Sequence, residues 1–244
     1  MSPTPPFTEA SARAVDEQLR ASGYAVLAPD SLATLTAVSL DAFANWAPLW
    51  DALPLDGYLR DGGRYRKRRH SCFVVEGEAV VTAPPRAHYQ SLEYNALHGG
   101  LERFYPPIDA AMVDDPAWSR LLTTLAARAS AIRGPRPWFV EAHPFRITTE
   151  GGIGRPTPEG AHRDGVDLVA VLLVARQGVK GGETRVFDAD GPRGLRFTLT
   201  EPWTTLLLDD ARVIHETTPI QPIAAEGHRD TLVVTLRAGG FQGR

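Results

Sequence analysis

The chain has 244 residues, of which 43% are apolar and 23% charged, as in an ordinary globular domain. Its 26 basic and 29 acidic residues give a net charge of −3, which provides no general attraction to nucleic acid or to an anionic membrane. No apolar stretch approaches the roughly 20 residues of a membrane span. Composition and charge therefore argue against a nucleic-acid partner and against a membrane protein.

The only cysteine is Cys72, so no disulfide can form within the chain, and a reducing, cytoplasmic location is favoured. The N-terminal segment MSPTPPFTEASARAVDE carries prolines and acids where a signal peptide needs basic residues and an apolar run. We therefore expect a cytoplasmic protein.

Helical signals dominate before about residue 135, where three helices are predicted. Either Thr8 or Ser11 can cap the first helix, which ends near Gly23. The second helix begins with Ser31 as its cap. The third opens at Asp115-Pro116, where an acceptor side chain precedes a favourable first-turn proline, and a glycine–proline pair ends it.

After Pro137 the pattern changes to short strand-like runs bounded by Gly, Pro and Asp. The sequence KGGE at 180–183 is typical of a hairpin turn between two of them. Successive strands without intervening helices indicate an antiparallel sandwich or barrel. The runs are WFVEAHPFRITT, DLVAVLLVA, ETRVFDA, LRFTLT, WTTLLLDD, RVIHETT and DTLVVTLRA.

These patterns predict one domain over residues 1–244, mainly β with flanking α-helices. Residues 1–135 are expected to be mostly helical and to pack on one sheet, and residues 136–240 to form the β core.

The segment PEGAHRDG places His162 and Asp164 two positions apart, so on a strand both side chains point to one face. A third ligand, His215, lies in the later run RVIHETT. Two imidazoles and one carboxylate on one face of a metal leave the opposite positions open, which suits Fe(II) that must also bind a cosubstrate and O₂. Farther on, Arg229 and Thr231 share a strand face, and a guanidinium beside a hydroxyl suits a carboxylate.

This pattern of H-x-D, a distal histidine and a following Arg-x-Thr resembles the Fe(II)- and 2-oxoglutarate-dependent dioxygenases. The stretches PTPEGAHRDGVDLV, GGETRVFD, DDARVIHETTPI and GHRDTLVV are similar to the bacterial amino-acid hydroxylase branch that includes L-isoleucine 4-hydroxylase. The upstream stretches RYRKRRHSCF, YNALHGGLERFYPPI and FVEAHPFRI extend the likeness over roughly residues 60–237.

The resemblance implies a double-stranded β-helix, that is, a cupin-like jelly roll, for the β core. It further implies that His162, Asp164 and His215 hold iron and that Arg229 grips the distal carboxylate of 2-oxoglutarate. Thr231 fits the hydroxyl of the wider signature, although this branch often has an aliphatic residue there. The implied reaction converts 2-oxoglutarate and O₂ to succinate and CO₂ while hydroxylating an unactivated C–H bond.

Two further side chains are candidates for substrate binding. Glu159 is either a solvated loop acid or the carboxylate that receives the α-ammonium of an amino-acid substrate. Arg146 either forms a structural salt bridge or meets a substrate carboxylate or bound 2-oxoglutarate.

The most basic part of the chain, RYRKRRH at 64–70, is read as a strand. A solvated strand or a nucleic-acid patch is one interpretation. In the alternative, one face of this strand reaches the mouth of the pocket and suits an anionic substrate group. That face is Arg64, Arg66 and Arg68, or else Tyr65, Lys67 and Arg69.

The other histidines carry weaker signals. His143 precedes a proline outside the recognised pattern, so a structural role is favoured over metal binding. His70, His88 and His98 have no spacing that indicates a metal. The stretch with Tyr94-Asn95 and Arg103 is compatible with a lid or pocket wall, but ordinary helix and loop packing is favoured.

The sequence thus favours an oxygenase acting on a small molecule, a free amino acid or close derivative. The alternatives are the same chemistry on a carrier-bound amino acid or other biosynthetic metabolite, a cupin-like metal- or sugar-binding protein without oxidative chemistry, and a zinc-dependent hydrolase. A homodimer is compatible with the sequence, which does not fix the oligomeric state.

Overall fold

The computed structural model describes residues 3–95, 97, 99–223 and 225–243. The helices of this part of the chain all lie before residue 135. They are α1 (Ala12–Ser22), α2 (Pro29–Thr36), α3 (Leu40–Ala44), a 3₁₀ helix (Ala47–Ala52), α4 (Ala110–Val113) and α5 (Pro116–Arg133). None of these helices has both the length and the apolar character needed to cross a membrane.

Thirteen strands run through the described residues. Four precede α5: β1 (Tyr24–Leu27), β2 (Arg66–Arg68), β3 (Ser71–Glu76) and β4 (Ala79–Thr82). The others follow it: β5 (Trp138–Thr148), β6 (Leu168–Gln177), β7 (Val179–Gly181), β8 (Thr184–Asp188), β9 (Gly194–Phe197), β10 (Thr205–Asp209), β11 (Val213–Thr217), β12 (Ile220–Pro222) and β13 (His228–Ala238).

Two of the three predicted helix starts are confirmed. The Ser11 hydroxyl caps α1 by accepting from the amide of Ala14, and the Asp115 carboxylate caps α5 by accepting from the amide of Ala117. The prediction that Ser31 caps the second helix is wrong. Pro29 takes the first turn of α2 and fixes its backbone there, so the helix begins three residues earlier than predicted and Ser31 lies inside it.

The strands form one large sheet and two small ones, and the named pairs are antiparallel. The large sheet has the order β1-β10-β6-β13-β5-β3-β4, with β2 also paired to β5. A three-stranded sheet has the order β11-β8-β9, and β12 pairs with β7. The long strands β5 and β13 pair over eleven positions and form the centre of the large sheet.

This topology corrects two expectations. The part before residue 135 is not simply helical, because β1, β2, β3 and β4 all pair into the large sheet. The KGGE sequence at 180–183 does not close a hairpin, since β7 pairs with β12 while β8 pairs with β11 and β9. Gly181 and Gly182 both have positive φ, and the chain uses them to pass from one small sheet to the other.

The main hydrophobic core lies between the helices and one face of the large sheet. It contains Leu121 and Leu125 of α5 together with Val140 of β5 and Leu232 of β13. Trp50 of the 3₁₀ helix is fully buried and donates to the backbone oxygens of Phe145 and Thr231 on those two strands. The helices therefore cover one face of the sheet, as predicted, and leave the opposite face free to line a cavity.

Candidate metal centre and its cavity

A cavity lies between the uncovered face of the large sheet and the three-stranded sheet. Side chains of β5 and β13 line one side, His215 and Thr217 of β11 line the other, and the loop 156–164 closes one end. Because β-strand side chains alternate, every second residue of β13 from Arg229 to Thr235 faces this space.

Three predicted ligands meet at the wall of the cavity. The backbone amide of His162 donates to the carbonyl of His215 at 3.0 Å, and the amide of His215 donates back at 2.9 Å. The Nε2 atoms of His162 and His215 each lie 3.7 Å from a carboxylate oxygen of Asp164. One ligand atom from each side chain falls within 4.8 Å of the others, which is close enough for all three to bind one metal ion.

The sequence predicted that one strand face would orient both His162 and Asp164, and only His162 lies in β structure. His162 makes an isolated β-bridge with His215, but Asp164 lies outside any strand, so a strand face does not orient it. Instead the buried carboxylate of Asp210 accepts hydrogen bonds from the amides of Asp164, Gly165 and Val166 at 2.8–3.1 Å. The carboxylate of the residue directly after β10 thus shapes the loop that presents Asp164.

His162 fits a divalent metal in its hydrogen bonding as well as in its position. Its Nδ1 donates to the carbonyl of Gly160 at 2.9 Å, which leaves Nε2, 3.7 Å from Asp164, as the atom that can bind a metal. The Nδ1 of His215 is buried with no partner among the described residues. Two imidazoles and one carboxylate are the donors that ferrous iron takes in sites with open positions.

Without a metal, the three side chains of the triad shift one another's pKa values. Burial lowers the pKa of His162, but the nearby carboxylates of Asp164 and Glu159 outweigh it and raise that pKa to about 10. Burial together with the charge of His162 lowers the pKa of His215 to about 4. A bound cation would take the place of the His162 proton, so metal binding here must release a proton.

Arg229 lies deep in the cavity and is almost fully buried. Its Nε and Nη2 atoms have no hydrogen-bond partner in the described part of the chain, and burial lowers its pKa to about 10. Thr231 lines the cavity two residues farther along the same strand face, as predicted. A buried guanidinium with free donors is costly unless an anion fills the space, so the residues fit a bound carboxylate.

The two predicted substrate contacts have different outcomes. Glu159 lines the cavity, with Oε1 3.6 Å from Nε2 of His162 and Oε2 buried without a partner in the described structure. Arg146 does not line it. Its guanidinium pairs with Asp230 through two hydrogen bonds of 2.8 and 2.7 Å and with Asp51 at 2.7 Å. The expected contact of Arg146 with a small molecule does not fit this placement, because β5 directs its side chain to the face opposite the cavity.

The basic run contributes two arginines to the cavity wall, Arg66 and Arg68, both buried on β2. The third member of the predicted face, Arg64, precedes the strand and is exposed. Arg66 pairs with the buried Asp56 at 2.7 Å. Arg103 joins the same wall, which supports the pocket-wall interpretation of that stretch over ordinary packing.

A polar cluster that the sequence did not predict forms the far side of the cavity. Glu141 Oε2 lies 2.8 Å from His70 Nε2 and 2.8 Å from His88 Nδ1, and His143 stacks on His70. Although ligand atoms of these four residues also lie within 4.8 Å, hydrogen bonds occupy them, since Arg68 donates to His143 Nδ1 at 2.7 Å. The cluster is a hydrogen-bonded wall, in agreement with the structural role favoured for His143. The remaining histidine of that group, His98, lies outside the described residues.

Sequence reasoning also missed two glutamines that hold the metal-centre loop. Gln90 Nε2 donates to Asp164 Oδ1 at 3.0 Å, and its own oxygen accepts from Arg103 at 3.1 Å. Near the C-terminus, Gln242 Nε2 donates to the carbonyls of Asp164 and Gly165. No sequence spacing relates these glutamines to Asp164, because they lie far from it in the chain. Their contacts with the loop are found only in the folded structure.

Two facing sheets around a two-histidine, one-carboxylate centre define a double-stranded β-helix of the oxygenase type. Residues 47–235 match the family model described as 2OG-Fe dioxygenase, and the chain belongs to this family. As a member it is an oxidoreductase that uses Fe(II), 2-oxoglutarate and O₂. The predicted fold and cofactors are thereby confirmed.

Solved structures agree with this assignment. A bsmA homologue from Methylobium petroleophilum PM1 is 56% identical, with a TM-score of 0.90 over 94% of each chain. IDO from Bacillus thuringiensis is 17% identical, with a TM-score of 0.76 over 96% of this chain and 100% of its own. The Fe(II)/α-ketoglutarate-dependent dioxygenase TqaL is 17% identical, with a TM-score of 0.66 over 93% and 88%. The last two show likeness of fold. A comparison with curated proteins found no match.

Proposed function

We propose that His162, Asp164 and His215 hold the iron, and that Arg229 with Thr231 binds the distal carboxylate of 2-oxoglutarate. The proposed reaction is hydroxylation of an unactivated C–H bond of a free amino acid or close derivative, with succinate and CO₂ as coproducts. One observation carries the proposal: the triad and a buried guanidinium with free donors face the same cavity.

The iron, when bound, supplies the redox chemistry that places one oxygen atom of O₂ in succinate and the other in the hydroxylated product. The side chains of the protein supply position. Arg229 fixes one end of 2-oxoglutarate, and buried side chains such as Ile147 limit the water that reaches the cavity. Gln90 donates a hydrogen bond to Asp164, and the carbonyl of Gly160 accepts one from His162; both hold the ligand atoms in orientation.

An amino group on the substrate is favoured by the position of Glu159. Its carboxylate lies beside the triad, inside the cavity, with one oxygen that has no partner in the described structure. An ammonium group would supply the missing donors and offset the cost of burying this anion. The position of the Glu159 carboxylate therefore supports an amino acid as the substrate, as in the amino-acid hydroxylase branch.

The experiment that tests the proposal is an amino-acid screen with the iron-loaded enzyme, 2-oxoglutarate and ascorbate. We expect succinate release to rise well above the substrate-free rate with at least one amino acid, and the hydroxylated product to appear in equal amount. If no amino acid in a full panel raises the release of succinate, although iron is shown to be bound, the proposed substrate class is contradicted. Turnover only with a carrier-loaded amino acid would select the alternative target.

The cytoplasmic location and the homodimer stay predictions of the sequence. Size-exclusion chromatography with light scattering of the iron-loaded protein tests the second.

A further inference from the structure

Two buried guanidinium groups on the cavity wall have no carboxylate partner in the described part of the chain. Arg68 and Arg103 are each about 2% exposed, and both line the cavity. Their hydrogen bonds go to uncharged acceptors: Arg68 donates to His143 Nδ1 at 2.7 Å, and Arg103 donates to the amide oxygen of Gln90 at 3.1 Å. Arg66 on the same wall differs, because Asp56 neutralises it.

Such an arrangement is unfavourable unless an anion completes it. Burial lowers the pKa of Arg68 to about 10 and also lowers that of Arg103, which reflects the cost of holding each charge away from water. The Nε atom of each guanidinium is buried without a partner among the described residues. These groups therefore resemble Arg229, another buried cation of the cavity for which the described part of the chain offers no carboxylate partner.

The guanidinium of Arg68 is held in a fixed orientation. It lies 4.1 Å from the ring centre of Tyr105 and 4.3 Å from that of Phe145. Stacking on two aromatic rings fixes the plane of a guanidinium and limits the entropy lost when it binds a ligand. This is the arrangement of a built binding site and not of a mobile surface arginine.

We propose that Arg68 and Arg103 form a subsite for the carboxylate of the substrate. The inference rests on the proposed function, in which Arg229 already holds the distal carboxylate of 2-oxoglutarate and Glu159 receives the ammonium group. Glu159 is near enough to Arg103 for its charge to act on the guanidinium. An α-amino acid carries its ammonium and carboxylate on one carbon, so its head group matches an acidic and a basic side chain placed side by side.

This subsite makes a specific demand on the substrate. A free carboxylate must be present, because an amide or thioester carries no charge to compensate the two cations. A carrier-bound amino acid would leave Arg68 and Arg103 buried without an anion. The subsite therefore separates free amino acids from the carrier-bound alternative on electrostatic grounds.

The test compares binding of matched ligands to the enzyme loaded with iron and 2-oxoglutarate under anaerobic conditions. The ligands are the twenty common L-amino acids, their carboxamides and the corresponding acids without the amino group, measured by calorimetry. We expect the best-bound amino acid to bind at least 30-fold, on the order of two kcal/mol, more tightly than its carboxamide. Arg68→Gln should reduce this ratio to near unity, and Arg68→Lys should restore part of it.

Arg103→Gln provides a second variant, so that a folding defect in one does not decide the outcome. Arg64→Gln, which changes the exposed arginine of the same run, is the matched control and should keep the wild-type ratio. Unchanged affinity for 2-oxoglutarate shows that each variant is folded. The subsite is refuted if wild type binds amide and acid equally, if both variants keep the ratio, or if no carboxylate in the panel binds.

The same panel separates this inference from the proposed function. Equal hydroxylation of an amino acid and its carboxamide would leave the function standing and remove the subsite. The opposite outcome is also possible to detect. If the acids without an amino group bind, if Arg68→Gln loses this binding, and if no amino acid is hydroxylated, the subsite stands and the amino-acid function is refuted.

Discussion

Arg229 and Arg146 lie on adjacent strands of the same sheet and have opposite surroundings. Arg229 faces the cavity with two nitrogen atoms that have no partner among the described residues, whereas Arg146 faces the other side and pairs with Asp230 and Asp51. A motif and strand periodicity predicted an anion-binding role for Arg229, whereas for Arg146 the sequence left an anion-binding role and a structural salt bridge open. The face of the strand decides between them, and the proposed roles lead to opposite expectations for mutation.

Replacing Arg229 with alanine should weaken 2-oxoglutarate binding by about 30-fold or more, since losing one partner of a buried charge pair costs roughly 2–5 kcal/mol. Arg229→Lys should keep part of the affinity, because it retains the charge but not the fork of donors. Anaerobic calorimetry with the iron-loaded protein measures both. Wild-type affinity in the alanine variant would show that the distal carboxylate binds elsewhere.

Replacing Arg146 with alanine should reduce stability and leave catalysis intact. The change leaves Asp230, which is 2% exposed, without its strongest partner, and we expect a loss of roughly 2–4 kcal/mol in the free energy of unfolding. Urea denaturation measures the loss, and the apparent KM for 2-oxoglutarate serves as the control. A normal unfolding curve combined with a raised KM would restore the binding role that the sequence suggested.

At the scale of helices and strands, local sequence signals correctly predicted the features that depend on local interactions, such as helix caps and strand runs. Ser11 and Asp115 cap their helices as expected, and the strand runs after Pro137 all appear in the fold. The failures occur where tertiary pairing decides, as at 180–183, where a good turn sequence connects strands of different sheets. In the first half, the basic run that was read as a strand contains β2, whereas β1, β3 and β4 were missed; β1 and β4 are only four residues long.

The loop that presents Asp164 depends on Asp210, which accepts three backbone amides. In Asp210→Asn one acceptor oxygen becomes an amide group that faces N–H donors. We expect the loop to loosen and iron affinity to fall by about 10- to 100-fold, the usual range for outer partners of metal ligands. Asp209→Asn, next in sequence but paired with Arg133, should lower stability without this loss of affinity. Equal iron affinity in the two variants would contradict the role given to Asp210.

The polar wall formed by His70, His88, Glu141 and His143 predicts a dependence of stability on pH. Burial lowers the pKa of His88 to about 3, from an ordinary value of 6.5, despite its hydrogen bond to Glu141. Between these values the unfolded chain binds the proton and the folded protein does not. His88 therefore destabilises the fold as pH falls from 6.5 toward 3, by up to about 1.4 kcal/mol per pH unit.

His88→Gln removes this titration and keeps a side chain that can donate to Glu141. Urea unfolding of metal-free protein at pH 7, 6 and 5 should show a smaller loss of stability for the variant than for wild type. Parallel pH profiles for the two proteins would contradict the neutral, buried state assigned to His88.

At the scale of the molecule, the cavity needs nearly the whole chain. Arg68 and His88 come from the first half, the triad from the second, and Gln242 from the C-terminal segment. The helices and both halves also share one hydrophobic core. Because both halves of the chain line the cavity and share one core, the structure favours the single domain predicted over residues 1–244.

The sequence could predict the three proposed iron ligands and Arg229 because a motif and strand periodicity relate them. It could not predict Gln90, Asp210 or the Glu141 cluster, whose partners lie 44 to 75 residues away in the chain. Only the register of the folded sheets brings such residues together.

The central claim is that one metal centre and one buried arginine bind ferrous iron and 2-oxoglutarate as a unit. Anaerobic titration of 2-oxoglutarate, with and without Fe(II), into wild type, His162→Ala and His215→Ala tests it most directly. We predict one iron per wild-type chain and iron-dependent tightening of 2-oxoglutarate binding, with both effects lost in each variant. Retention of a full equivalent of iron in both variants, or 2-oxoglutarate binding that is independent of iron in wild type, would contradict the account.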